Sequence, residues 1–198
     1  KAVERPGDFK EPKYTISQND ARFCADVIKR LCENQTSQGG WRYGKGFGLV
    51  GSEEDISATQ IVLLGLKSAH RMKLIVDPGM IKKALDFVVR SQEADGPKVP
   101  RAPDIASGDR GTYASLGEDR ARGWAYEKKS DKREETSVSG SMTTAGITSL
   151  LIAKSILGKH LAKKESEKVD QCIWDGFAWL LSKWTMAGNP DSRRSHYY

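Results

Sequence analysis

The chain has 198 residues, 38% hydrophobic and 29% charged, with a formal net charge of +6. That length supports one good-sized domain with a real core, and no apolar run approaches the roughly 20 residues a membrane-spanning helix needs. The basic excess is scattered: between Lys98 and Glu135 nine basic side chains face eight acidic ones, a mixed surface rather than the stripe of a nucleic-acid binder.

The start at Lys1 shows neither an initiator Met nor a signal-peptide pattern, and reads as a cut end. Residues 1–16 read as an extended lead-in, and residues 17–198 as one helical domain. Ser17, Asn19 and Asp20 offer an N-cap for a helix running to Asn34. Its apolar residues Phe23, Cys24, Val27, Ile28, Leu31 and Cys32 make one stripe, so the other face is solvated. From Gln35 to Gly51 comes a turn region with six glycines, where Trp41, Tyr43 and Phe47 are expected to pack onto helix ends. The helix predicted over 56–71 differs in kind. Ile61-Val62-Leu63-Leu64 and Leu66 leave almost no polar face, as in a helix enclosed by others. Asp77-Pro78 opens the next helix, over 79–92, with proline where its missing N–H costs nothing; it is amphipathic again.

Residues 93–122 form an insertion rich in Gly, Pro and charge, long enough to be either functional or disordered. The order then recurs: a nearly all-apolar helix over 141–157, then an amphipathic one over 168–184 with Val169, Cys172, Ile173, Phe177, Leu180, Leu181 and Trp184 on its stripe. The terminal Arg194-Ser195-His196-Tyr197-Tyr198 reads as the opening of another helix, and the whole as a piece of a longer protein. Alternating buried and half-buried helices fit two layers, with 56–71 and 141–157 inner. Cys24, Cys32 and Cys172 are too few and too dispersed for a disulfide framework and leave the compartment open.

The turns repeat as well. Gly40-Trp41-Arg42-Tyr43 recurs as Gly123-Trp124-Ala125-Tyr126, each time ahead of a Ser/Thr-rich cap and an apolar helix. Ile28–Gln35 aligns with Leu85–Gln92, and Phe177–Trp184 aligns with both. A repeating unit of helix, Gly-Trp turn and helix marks a helical repeat architecture. Gln35-Thr36-Ser37-Gln38-Gly39-Gly40-Trp41 resembles the glutamine–tryptophan repeat of squalene–hopene and oxidosqualene cyclases. Gln92 with Gly123-Trp124 is a stretched copy. The chain thus resembles a partial, divergent member of the terpenoid cyclase and protein prenyltransferase superfamily over most of residues 20–184. That resemblance implies an all-α fold, an α/α toroid, here as an incomplete ring. Gln35, Gly40, Trp41, Gln92, Gly123 and Trp124 would then be structural repeat residues. Gly-Gly permits a sharp bend, Trp covers a helix end and donates its indole N–H, and Gln serves orphan helix-terminal groups.

The same resemblance sets out which chemistry to look for. A class II cyclase protonates an alkene from an Asp-x-Asp-Asp motif at the head of an inner helix. The nearest match is Glu53-Glu54-Asp55-Ile56-Ser57, with Asp55 on the protonating position and Glu53 and Glu54 beside it. Ile56 removes a neighbour that would support so acidic a group. The bland alternative is an Asp55 helix cap, with the glutamates favouring the positive helix end. A prenyltransferase holds zinc through Asp-x-Cys and His. Ser139-Gly140-Ser141 stands at the first pair, and His196 alone makes no site, so no metal is expected; His70 and His160 read as polar caps. No cofactor motif is present. Two readings of different class follow. One is a non-catalytic binding or scaffold module for a partner protein, a peptide or an apolar ligand, without nucleic acid. The other is a fragment of a class II terpenoid cyclase. Carbocation chemistry favours aromatic walls, and the inner helices contain no Trp, Tyr or Phe, which tilts the reading toward the first.

Overall fold

Four of the five helices start where a short polar side chain turns back to cap them, as a computed structural model describing residues 16–43, 54–101, 117–126, 138–185 and 188–190 shows. Helix α1 (Gln18–Glu33) begins at Ser17, whose Oγ accepts from Asp20 N at 3.1 Å. Helix α2 (Ile56–Arg71) begins at Asp55, and α3 (Pro78–Ser91) at Asp77, whose Oδ1 accepts from Gly79 N at 2.9 Å. Helix α4 (Gly140–Leu157) begins at Ser139 and ends at Gly158, in the left-handed region at φ +50°. Helix α5 (Lys163–Lys183) starts a turn earlier than its apolar stripe predicts. Its first turn is held instead by Glu165, which accepts from Ala162 N at 3.2 Å and pairs with Lys82 of α3 at 2.9 Å. The Lys82 ammonium, and then the Ala162 amide, hold the Glu165 carboxyl below its ordinary value.

The described chain is mostly helical, with one small sheet. Strands β1 (Lys98–Pro100) and β2 (Glu118–Arg120) pair antiparallel, Val99 opposite Asp119. They lie within the expected insertion and were not foreseen, because three-residue strands bounded by Pro carry no periodic signal.

Helices α2 and α4 pack side by side, and α4 also packs on α3 and α5. The core runs through this contact, with Leu63, Leu66, Ile81, Val88, Leu150 and Val169 fully enclosed. Helix α4, expected to be buried all round, is the most enclosed helix, with ten of its eighteen residues buried, but it is not covered on every side: Leu151 and Ser155 are exposed and Thr144, Thr148 and Ile152 are half-buried. Helix α2 departs from that expectation: Ile61, Leu64 and Gly65 face solvent, since among the described residues no helix lies on that side. Helix α3 is amphipathic as expected: Ile81, Ala84, Leu85 and Val88 are buried, joined by Met80 and Phe87, while Lys83 and Arg90 are exposed. Helix α1 has no buried residue; Ile28 and Leu31 rest on the core, while Phe23 and Val27 stand in solvent. The predicted stripe of α5 holds in its first half, where Val169, Cys172 and Ile173 are buried, and turns away beyond it: Phe177, Leu181 and Trp184 are exposed, while Asp175, Gly176, Ala178 and Trp179 are buried.

The thiols divide by burial. Cys172 is enclosed, which pushes its thiol above the ordinary range; Cys32 is exposed and Cys24 half-exposed. In the native protein a disulfide reagent is expected to titrate Cys24 and Cys32, and Cys172 only after denaturant. Rapid modification of Cys172 in the folded chain would contradict the packing of α5.

Candidate functional site

The Gly-Trp turns are built twice with the same bonds. Trp41 Nε1 donates to Leu31 O in the last turn of α1 at 2.8 Å, and Trp124 Nε1 to Val88 O near the end of α3 at 2.8 Å. Each donation satisfies a carbonyl that the helix end leaves without an intrahelical donor. Asp55 N donates to Trp41 O at 3.1 Å, and Ser139 N to Trp124 O at 3.2 Å. The glutamines act as staples between repeats. Gln35 Nε2 donates to Gly39 O and to Met80 O of α3, at 2.8 and 2.9 Å. Gln92 Nε2 donates to Arg122 O and to Cys172 O of α5, at 3.1 and 2.9 Å. Gly39 and Arg122 each stand two residues before the Trp, so the two staples are equivalent.

Glycine is required where the turn presses on its neighbours. A Cβ on Gly40 would meet Glu54 Cβ at 2.8 Å and Phe87 Cε1 at 2.9 Å. On Gly123 it would run into Val138, Thr143 and Trp179, of which Val138 and Trp179 are the counterparts of Glu54 and Phe87. Sequence reasoning missed the other half of the turn. Thr59 Oγ1 accepts from Trp41 N at 3.1 Å, and Thr143 Oγ1 from Trp124 N at 3.2 Å, both hydroxyls fully enclosed. The signal was present as a threonine four residues past each cap, Asp55 and Ser139.

Asp55 is 2% exposed, and its Oδ1 accepts from Ala58 N at 2.6 Å. It is the N-cap of α2. Ser139 occupies the equivalent position and does the same for α4, accepting from Met142 N at 3.4 Å. Glu54 is half-buried beside Gly40, and Glu53 lies outside the described residues. The structure therefore places Asp55 within the turn packing rather than on an open surface. Ser141, expected in place of a zinc ligand, is bound to Asn189: its N donates to Oδ1 and its Oγ accepts from Nδ2, each at 3.0 Å. His70 lies in the last turn of α2 and His160 in a 3-10 turn after α4, both exposed; His196 lies outside the described residues. Among the described residues, no three His, Cys, Asp or Glu side chains converge as a metal site requires. No helix of the described residues is long and apolar enough to cross a membrane.

No family model, curated protein or solved structure matches this chain significantly.

A second polar cluster was not anticipated. It pins the base of the insertion to α5. Arg101 lies bidentate on Asp119, with Nε 3.0 Å from Oδ2 and Nη2 2.6 Å from Oδ1, and its guanidinium lies 5.2 Å from the centre of the Trp174 ring. Arg122 Nε donates to Asp175 Oδ2 at 2.9 Å, and Arg120 N to Asp175 Oδ1 at 2.9 Å. Gln171 Nε2 bridges the two carboxylates, at 2.9 Å from Asp119 and 2.8 Å from Asp175. Asp119 and Asp175 are both almost fully buried. Every carboxylate oxygen in this cluster has a donor, so it holds structure together and leaves nothing free to react. The sequence signal was an aspartate at 175 inside an otherwise apolar face of α5.

Helices α2 and α4 share a mixed stripe that is left open. Gln60, Leu64 and Ser68 of α2 correspond to Thr144, Thr148 and Ile152 of α4, and all six are exposed or half-exposed. The hydroxyls of Ser68, Thr144 and Thr148 donate to carbonyls of their own helices. Those donors are already used, which makes the stripe less polar than its composition.

Proposed function

We propose that this chain is a non-catalytic module of the terpenoid cyclase and prenyltransferase type. In this reading it is an open arc of an α/α toroid that binds or scaffolds a partner protein, a peptide or an apolar ligand. The toroid is supported by the recurrence of one bond set in both Gly-Trp turns. The non-catalytic role is supported above all by the work of Asp55. A proton donor must present its acid to substrate within hydrogen-bond reach. Asp55 is enclosed and committed to Ala58 N, and its counterpart is Ser139, which cannot protonate an alkene. The ligand surface of this module is the stripe of Gln60, Leu64 and Ser68 with Thr144, Thr148 and Ile152, short of donors and free of aromatic rings.

Incubation with squalene and shorter polyprenes in detergent tests the reading, with products resolved by gas chromatography and mass spectrometry. No cyclic product is expected. Asparagine is as good an N-cap as aspartate, so Asp55→Asn keeps the helix start and removes only the acid. A cyclic product formed by the wild type and lost in Asp55→Asn would make the chain a fragment of a class II cyclase instead.

A further inference from the structure

The basic side chains that the sequence scatters are gathered by the fold at one end of the molecule. The Gly-Trp turns hold the starts of α2 and α4 and the ends of α1 and α3. The opposite end is made by the helix-to-helix turns 72–77 and 158–162. Helices α2 and α4 pack side by side, and Lys82 bridges the start of α3 to Glu165 at the start of α5, so the two turns are neighbours. Over residues 67–77 and 158–168, seven Lys and Arg stand against three Asp and Glu, an excess that makes up most of the chain's +6. The three acids are engaged: Asp77 caps α3, Glu165 pairs with Lys82, and Glu167 lies 4.0 Å from Lys163. Helix α1 also begins at this end, where Asp20 accepts from Ser17 Oγ at 2.7 Å.

Helix stability does not account for these cations. Lys163 and Lys164 stand in the first turn of α5, where the helix dipole is positive and favours acids. Lys73 is in the left-handed region at φ +62°, a conformation suited to glycine, and the neighbouring turn does place Gly158 there, at φ +50°. Between these cations Ile75 is 91% exposed in the 72–77 turn. A side chain so exposed stands proud of the surface and lies in no groove.

We propose that this end of the molecule docks on an anionic lipid surface. Lys73, Lys159, Lys163 and Lys164 would meet the headgroups, and Ile75 would enter the apolar boundary beneath them. Anionic lipid attracts clustered Lys and Arg, and a projecting aliphatic side chain gains where an apolar medium receives it. A nucleic-acid backbone offers the charge without that medium. An acidic peptide needs a bed to lie in, and a projecting turn provides none. The docking is peripheral, since no helix of the described residues is long and apolar enough to cross a membrane. It stands whether or not the stripe on α2 and α4 binds a ligand.

Flotation with phosphatidylcholine vesicles, either pure or with about one-third phosphatidylserine, tests it. The wild type is expected to float with the anionic vesicles only, and less so as salt is raised. Lys73→Gly with Lys164→Gln is expected to weaken binding by about twentyfold, at about fivefold per charge. Lys29→Gln with Lys98→Gln removes the same charge from the opposite end and is expected to weaken it by less than about twofold. Ile75→Ser, which changes no charge, is expected to weaken it by about tenfold. All of these positions are exposed, so each variant is expected to keep the wild-type circular dichroism. A wild type that ignores anionic vesicles overturns the proposal. So do equal losses in the two charge pairs, which would mean adsorption by net charge alone, and so does an Ile75→Ser variant that binds as the wild type does. Binding to polyglutamate in place of vesicles, lost in Lys73→Gly with Lys164→Gln, would overturn it in favour of an acidic protein segment.

Discussion

Trp124→Ala is expected to lower the free energy of unfolding by about 3–5 kcal/mol, the range for truncating a large buried aromatic. The ring is wholly enclosed, lying against Gly146 of α4 and Gly176 of α5, where any side chain would collide with it. Two helices therefore lose their packing at once, and Val88 O loses the indole N–H that satisfied it. Trp41→Ala is expected to cost about 3 kcal/mol or more on the same grounds, since Trp41 is 3% exposed and donates to Leu31 O. Urea denaturation followed by circular dichroism measures both. Wild-type midpoints for the two variants would mean that the tryptophans do not anchor helix ends, and would reopen a role for them at a ligand.

Asp175→Ala is expected to cost as much, about 3–5 kcal/mol, as when one member of a buried ion pair is removed. The loss leaves the Arg122 guanidinium uncompensated and deprives Arg120 N and Gln171 Nε2 of an acceptor. An internal comparison makes the test sharp. Glu118 pairs with Lys98 across the same hairpin at 3.2 Å, but both side chains are more than half exposed. Glu118→Ala is expected to cost less than about 1 kcal/mol, as surface pairs do. Equal losses for the two variants would show that burial of the Asp175 pair contributes nothing.

The helix starts were legible because their caps are chemical: Ser17, Asp55 and Asp77 are the residues that accept backbone N–H groups at those points. The equivalence of Gln35 with Gln92 and of Trp41 with Trp124 was legible because a repeated unit writes the same residues twice. Periodicity shows which side of a helix is apolar, and is silent on whether anything covers it. Hence the stripe of α1 was read correctly as apolar, while the exposure of Phe23 and Val27 was not foreseen. In α5 the reading held as far as Ile173 and failed beyond it. Asp175 and Gly176 belong to the buried face, one because two side chains and a backbone amide supply its hydrogen bonds, the other because Trp124 and Ile147 fill the space beside it. Neither residue type announces burial in a sequence. Of the candidate acid, the sequence showed the position of Asp55 and the capping alternative; only the coordinates show which backbone group it serves.

The two staples differ in one respect that bears on how such a chain can grow. Trp41 follows Gln35 by six residues, whereas Trp124 follows Gln92 by thirty-two, yet both glutamines reach the carbonyl two places before the Trp. Closing the longer loop costs only about 1.5 kcal/mol more in chain entropy, since the penalty rises with the logarithm of length. That is comparable to one or two hydrogen bonds, and the Arg–Asp clamps at the base of the insertion are of a size to offset it. The interval between glutamine and tryptophan is thus a port in the repeat, a place where sequence can be added without disturbing the helices on either side.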